Sequence, residues 1–124
     1  MADGGRELSF HLLLHPTSWW LIVPLGLGDE ASLSMVLDTG APLSGISRRT
    51  RDGLAERSLL IPHGRRHYLL RDLRIAGQPV PDLVVRESNR LTEVGADGAV
   101  GLDFLNRFTE IHCHIPSLWV TLRR

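Results

Sequence analysis

The chain has 124 residues, 43% of them apolar and 23% charged, which fits one soluble globular domain with a single core. Fourteen arginines, with no lysine, balance fourteen acids, so no net charge draws it toward nucleic acid or an anionic membrane. The lone cysteine, Cys113, leaves no internal disulfide. The longest apolar run, Trp19 to Leu27, is interrupted by Pro24 and Gly26 and falls short of the roughly 20 residues that span a bilayer. With no signal-peptide pattern at its start, the chain is expected to be cytoplasmic.

Short β-type runs separated by turn signals dominate the rest. Trp19 to Val23 reads as a strand, Gly28-Asp29-Glu30 as a turn, and Leu33 to Leu37 as the next strand, so a hairpin leads into Asp38. Arg48 to Arg57 is polar enough for at most a helical turn, which Gly53 weakens. Ser58 to Ile61 and His67 to Leu70 flank a loop at Pro62-His63-Gly64. Leu73 to Ile75 runs into a turn at Ala76 to Pro79, and Asp82 to Val85 is another strand. Gly95 to Gly101 is rich in small residues. Leu102 to Phe108 suits a short helix with Leu102, Leu105 and Phe108 on one face. Ile111 to Ile115, a Pro116-Ser117 turn and Leu118 to Leu122 read as a closing hairpin. Residues 1–124 are therefore expected to form one mainly β domain, a small closed barrel with one short C-terminal helix. Its core is placed at about 19–122, with residues 1–8 loosely ordered.

The chemistry centres on Met35-Val36-Leu37-Asp38-Thr39-Gly40-Ala41-Pro42. An apolar strand ends in a carboxylate, a small hydroxyl residue and a glycine. The strand fixes the Asp38 backbone, Gly40 permits a sharp turn and close approach by water or substrate, and Thr39 offers a hydroxyl to a neighbour. Those residues alone also describe an ordinary turn. A second segment, Val100-Gly101-Leu102-Asp103-Phe104-Leu105, lies far downstream.

The two motifs in this order resemble the retropepsin-like aspartic proteases, over roughly Leu21 to Leu122. The resemblance implies that Asp38 is the catalytic acid, and that Thr39, Gly40 and Ala41 form the active-site loop. It implies that Thr39 bonds across a dimer axis. Gly101, Leu102 and Asp103 then give structural support from behind that loop, Asp103 as a helix-end acceptor and not as a second catalytic acid. Because the chain has one Asp-Thr-Gly, the second acid must come from another copy of the chain. The expected partners are that second copy and a peptide or protein substrate, with no nucleic acid, no membrane, no metal and no cofactor.

The sequence departs from the family pattern at the candidate flap, Ser58 to Leu70. It is short and charged, with His63, Gly64 and Arg65 at its tip and Arg66 beside them. A flap this short closes poorly, which favours a non-catalytic dimerisation or peptide-binding module; its charges read first as a solvated loop, with selection of acidic substrates by Arg65, Arg66, His63 and His67 as the alternative. Pro42 also departs, and is expected only to stiffen the loop. His112, Cys113 and His114 alternate across a strand and so do not converge on a metal. Of Trp19 and Trp20, on opposite faces of a strand, one is expected in the core and the other at a dimer contact or near substrate.

Overall fold

The computed structural model describes residues 7–15, 20–88 and 95–124. Strand β1 (Glu7–His11) buries Leu8 and Phe10 and exposes Glu7 and His11, the two-residue period of a half-buried strand. The core thus extends N-terminal of the expected boundary. β2 (Leu13–Leu14) leads to β3 (Leu21–Leu27), and β4 (Ala31–Leu37) returns antiparallel to β3. Their turn uses Gly28 at φ +52°, a left-handed conformation that glycine adopts without steric cost.

β3 runs through Pro24 and Gly26, the two residues that made its end hard to place. At Pro24 the strand is paired with β4 only. On the other side β2 faces Leu21 and Ile22, and β8 (Leu73–Ile75) faces Gly26 and Leu27. The proline therefore interrupts no ladder on that side.

β5 (Gly45–Ile46) is followed by α1 (Arg48–Glu56), a full helix where at most a turn was expected. Its ends explain the difference. The Ser47 hydroxyl accepts the Thr50 N–H at 3.1 Å, and Thr50 and Leu54 are buried one turn apart. At the other end Leu59 N–H donates to Leu54 O at 2.9 Å and Ser58 N–H to Ala55 O at 3.1 Å, with Ser58 at φ +57°. These are the paired bonds of a Schellman ending. An N-cap contributes about 1 kcal/mol, enough to offset the roughly 0.5–1 kcal/mol cost of Gly53 in a helix interior.

β6 (Ile61–Pro62) and β7 (His67–Leu70) form a short hairpin. β8 and β9 (Gln78–Val80) form another, turned by Ala76 at φ +52° and Gly77 at φ +76°. Gln78 and Pro79 thus belong to a strand and not to the turn. β10 (Leu83–Glu87), β11 (Gly98–Val100), α2 (Leu102–Leu105), β12 (Glu110–His114) and β13 (Trp119–Arg123) complete the described elements. α2 is shorter than expected and buries Phe104, while Leu102, Leu105 and Phe108 are only half-buried. The chain leaves the helical path because Thr109 N–H must donate to Arg123 O at 2.8 Å to start the β12–β13 ladder.

The strands form two sheets. The larger runs β6-β7-β10-β5-β11-β4-β3-β8-β9, with β2 also beside β3; the smaller is β1-β13-β12. The expected closed barrel is not formed: neither described sheet closes on itself. The end strands β6 and β9 are outer arms of separate hairpins, only two and three residues long. β11 is threaded between β4, to which it is parallel, and β5, to which it is antiparallel. One core joins both sheets, with Phe10, Val120 and Leu122 from the smaller packed with Leu25, Met35 and Val85 from the larger. Asp97, just before β11, ties the threaded strand to its neighbours: its carboxylate accepts Ser34 N–H at 2.8 Å and the Thr50 hydroxyl at 3.1 Å.

Candidate active site

Asp38 directly follows β4, and its backbone is fixed from two directions. Its N–H donates to Val100 O at 3.0 Å on the threaded strand, and its carbonyl accepts Ala41 N–H at 3.2 Å. Its side chain is half-buried. Oδ1 accepts Gly40 N–H at 3.0 Å, and a Cβ at Gly40 would stand 3.3 Å from the same oxygen. Glycine thus holds its N–H against the carboxylate without crowding it. Among the described residues Asp38 Oδ2 has no hydrogen-bond partner, and neither has the hydroxyl of exposed Thr39.

The second motif packs against the back of this loop. Leu102 N–H donates to Ala41 O at 2.8 Å and Asp103 N–H to Pro42 O at 3.2 Å. The approach requires a glycine at 101, where a Cβ would meet Ala41 O at 2.5 Å and Leu43 O at 3.1 Å. Asp103 differs from Asp38 in that both its oxygens are engaged. Oδ1 accepts the Ser44 hydroxyl at 2.7 Å and Phe104 N–H at 2.9 Å, and Oδ2 accepts Ser44 N–H at 3.0 Å. Arg107 anchors the far end of this segment, donating to Pro81 O at 3.3 Å and Asp82 O at 2.9 Å. Burial holds its guanidinium below the usual arginine range.

Ser44 is the member of this network that sequence reasoning missed. It is buried, and its hydroxyl both donates to Asp103 and accepts Gly101 N–H at 3.0 Å. A serine between Leu43 and Gly45 carries no signature of that role; the nearest signal is its position between two motifs that must meet. The structure brings Asp38, Thr39, Gly40 and Ala41 together with Gly101, Leu102 and Asp103. The candidate flap residues His63, Gly64 and Arg65 are exposed at the tip of the β6–β7 hairpin. No hydrogen bond or ion pair among the described residues joins them to the Asp38 network. Trp19 lies outside the described residues, and Trp20 is exposed. His112, Cys113 and His114 are all exposed on β12, and among the described residues no cluster of three or more potential ligands could hold a metal ion. No helix among them is long and apolar enough to cross a membrane.

No family model matches the sequence, and no curated protein matches it. Solved structures do match the fold. The crystal structure of a retropepsin-like aspartic protease from Rickettsia conorii aligns with a TM-score of 0.62 at 10% identity, covering 99% of this chain and 96% of that one. The chain has a retropepsin-like fold. A second structure, the retroviral protease-like domain of Ddi1 from Leishmania major, aligns with a TM-score of 0.54 at 19% identity over 83% of this chain and 89% of that one. At these identities the shared property is the retropepsin-like fold, and the chemistry has to be argued from the Asp38 network itself.

Proposed function

We propose that the protein is an aspartic endopeptidase that works as a homodimer, with Asp38 of each protomer forming the catalytic pair. The observation that carries this reading is the contrast between the two acids on a retropepsin-like fold. Asp103 is consumed by three hydrogen bonds within the chain, whereas Asp38 is half-exposed with one oxygen unengaged. The unbonded hydroxyl of Thr39 fits a contact made across a two-fold axis. The smaller sheet, ordered β1-β13-β12, leaves one edge open on β1 and one on β12.

Two carboxylates roughly 3 Å apart cannot both ionise, so the pair holds one proton. The ionised Asp38 takes a proton from water as the water oxygen bonds to the peptide carbonyl carbon. The protonated Asp38 stabilises the developing oxyanion by donating to it. Collapse of the tetrahedral intermediate breaks the C–N bond, and a proton from the pair passes to the leaving amine. Within each protomer Gly40 N–H contributes by fixing the carboxylate orientation.

The test pairs the wild-type protein with Asp38→Asn on a peptide library read by mass spectrometry. Sedimentation is run on both proteins. Dimeric wild type should cleave, and the equally folded dimeric variant should not. Cleavage that survives the substitution, or that comes from a strictly monomeric species, refutes the proposal. The short β6–β7 hairpin favours a second reading, a peptide-binding or dimerisation module without catalysis. Only residues 63–66 separate β6 from β7, which offers little cover for a substrate. A verified dimer that cleaves nothing in the library at any pH supports that module instead.

A further inference from the structure

A cleft of about 820 Å3 lies between the tip of the β6–β7 hairpin, the first turn of α1 and the end of β10. Five arginines line it (Arg48, Arg51, Arg65, Arg66 and Arg86) against a single acid, Glu87. That acid is already engaged by Arg48 at 3.1 Å and by Arg51. Among the described residues no ion pair involves Arg65, Arg66 or Arg86.

This concentration of charge carries local costs. α1 has no acid in its first turn; Arg48, Arg49 and Arg51 stand there, where the helix dipole disfavours cations. Arg66 is held at φ +61°, a region sparsely populated by residues other than glycine, asparagine and aspartate. The chain as a whole is neutral, so this local excess of positive charge does not follow from a net positive chain. Arg65, Arg66 and Arg86 thus bring positive charge together with no acidic partner among the described residues, a charge that an anionic ligand would complement.

We propose that this cleft is a subsite for an acidic segment of a peptide, whose Asp or Glu carboxylates dock on Arg65, Arg66 and Arg86. The peptide role rests on the protease reading above. β5 links the two places: Arg86 is paired with Gly45, its N–H donates to Ser44 O at 3.3 Å, and Ser44 bonds Asp103 behind the Asp38 loop. The volume suits several residues of an extended chain more than a single small anion. The guanidinium forks match carboxylates with two parallel hydrogen bonds each.

Fluorescence anisotropy on the Asp38→Asn protein reads binding apart from cleavage, with labelled octaglutamate and octaglutamine as probes. Octaglutamate should bind at least tenfold more tightly, and the difference should shrink as salt rises. Combined Arg65→Ala, Arg66→Ala and Arg86→Ala changes should abolish the difference. A charge-matched control, Arg71→Ala, Arg74→Ala and Arg124→Ala, should preserve it. If the first triple variant unfolds, the single changes Arg65→Gln, Arg66→Gln and Arg86→Gln give the same readout, each lowering octaglutamate affinity. Equal affinity for the two probes, or an equal loss in the control, sinks the proposal. Wild-type cleavage with no preference for acidic residues near the scissile bond also sinks it, and leaves the protease reading standing. Selective octaglutamate binding without any cleavage sinks the protease reading and leaves the cleft as an acidic-peptide site.

Discussion

Replacing Gly101 with alanine adds one methyl group where the second motif crosses behind the Asp38 loop. The backbone there, at φ −105° and ψ −166°, is open to any L-residue, so the effect comes from contact and not from strain. The new carbon would stand 2.5 Å from Ala41 O and 3.0 Å from Leu43 C. Both are main-chain atoms of a loop held by the 2.8 Å Leu102–Ala41 bond and the 3.0 Å Gly101–Ser44 bond. Overpacking of this kind costs about 1–3 kcal/mol, and each hydrogen bond stretched or lost adds about 0.5–1.5 kcal/mol. The expected loss is about 2–5 kcal/mol. Gly53→Ala is the matched control: a Cβ there meets nothing within 4 Å, and the helix gains roughly 0.5–1 kcal/mol. At about 2.1 cal/mol/K of unfolding entropy per residue, 1 kcal/mol moves the melting temperature of a chain this size by about 4 °C. The two substitutions should therefore diverge by about 10 °C or more, in opposite directions. Thermal and urea melts decide it, run at one fixed chain concentration so that any self-association contributes equally to both. Cleavage by Gly101→Ala should fall with its fold, since the Asp38 loop moves. A Gly101→Ala protein that melts with wild type, beside a stabilised Gly53→Ala, refutes the close-approach argument.

Ser44→Ala should cost about 2–4 kcal/mol in urea unfolding, because it removes a bond to a carboxylate and leaves the Gly101 N–H buried without a partner. Asp103→Asn turns one acceptor into a donor facing either the Ser44 N–H or the Ser44 hydroxyl and Phe104 N–H; it should lower stability by about 1–3 kcal/mol while sparing turnover in the protein that remains folded. Ala76→Asn, at φ +52° in a two-residue hairpin turn, should stabilise by about 0.5–1 kcal/mol, and an unchanged melt refutes it. The cleavage rate should follow a bell centred at acidic to mildly acidic pH. Its acid limb reflects loss of the base and its alkaline limb loss of the shared proton; a maximum above about pH 8 contradicts a carboxylate pair.

The hairpin into Asp38 was legible because two apolar runs flank the Gly28-Asp29-Glu30 turn signal. The closing hairpin was legible from its Pro116-Ser117 turn between two β-type runs. α1 was not, because its sequence opens on arginines and contains Gly53; the Ser47 cap and the burial of Thr50 and Leu54 outweigh both, and neither is a periodic signal. The far end of β3 was hidden by Pro24 and Gly26; Pro24 is harmless because the strand there has no second neighbour. That knowledge is tertiary. Closure into a barrel was inferred from the many short strands and from the family resemblance, but closure depends on whether end strands meet, which no local pattern encodes. At the site, the motifs read Asp103 as a hydrogen-bonded acceptor at the helix start, and the structure shows its carboxylate accepting Phe104 N–H and two bonds from Ser44. Ser44 and Asp97 act through contacts with residues far away in the chain, and each looks in sequence like any loop residue.

The threading of β11 between β4 and β5 sets an order of assembly. Gly98 lies against Met35 and Val100 against Leu37, so these pairings close long loops and come late on the path to the native state. Until they form, the Asp38 N–H has no Val100 carbonyl to bond. A chain emerging from the ribosome therefore carries its acid on an unfinished loop until its last quarter has been made. The hairpin of β3 and β4 can fold early, as a local contact, before the Asp38 loop is fixed. The insertion leaves no room for error: a Cβ at Gly98 would meet Gly45 O at 2.3 Å and the Met35 side chain at 2.8 Å. A bulkier residue there should weaken the native pairing of β11 and, because that contact forms late, should show mainly as faster unfolding.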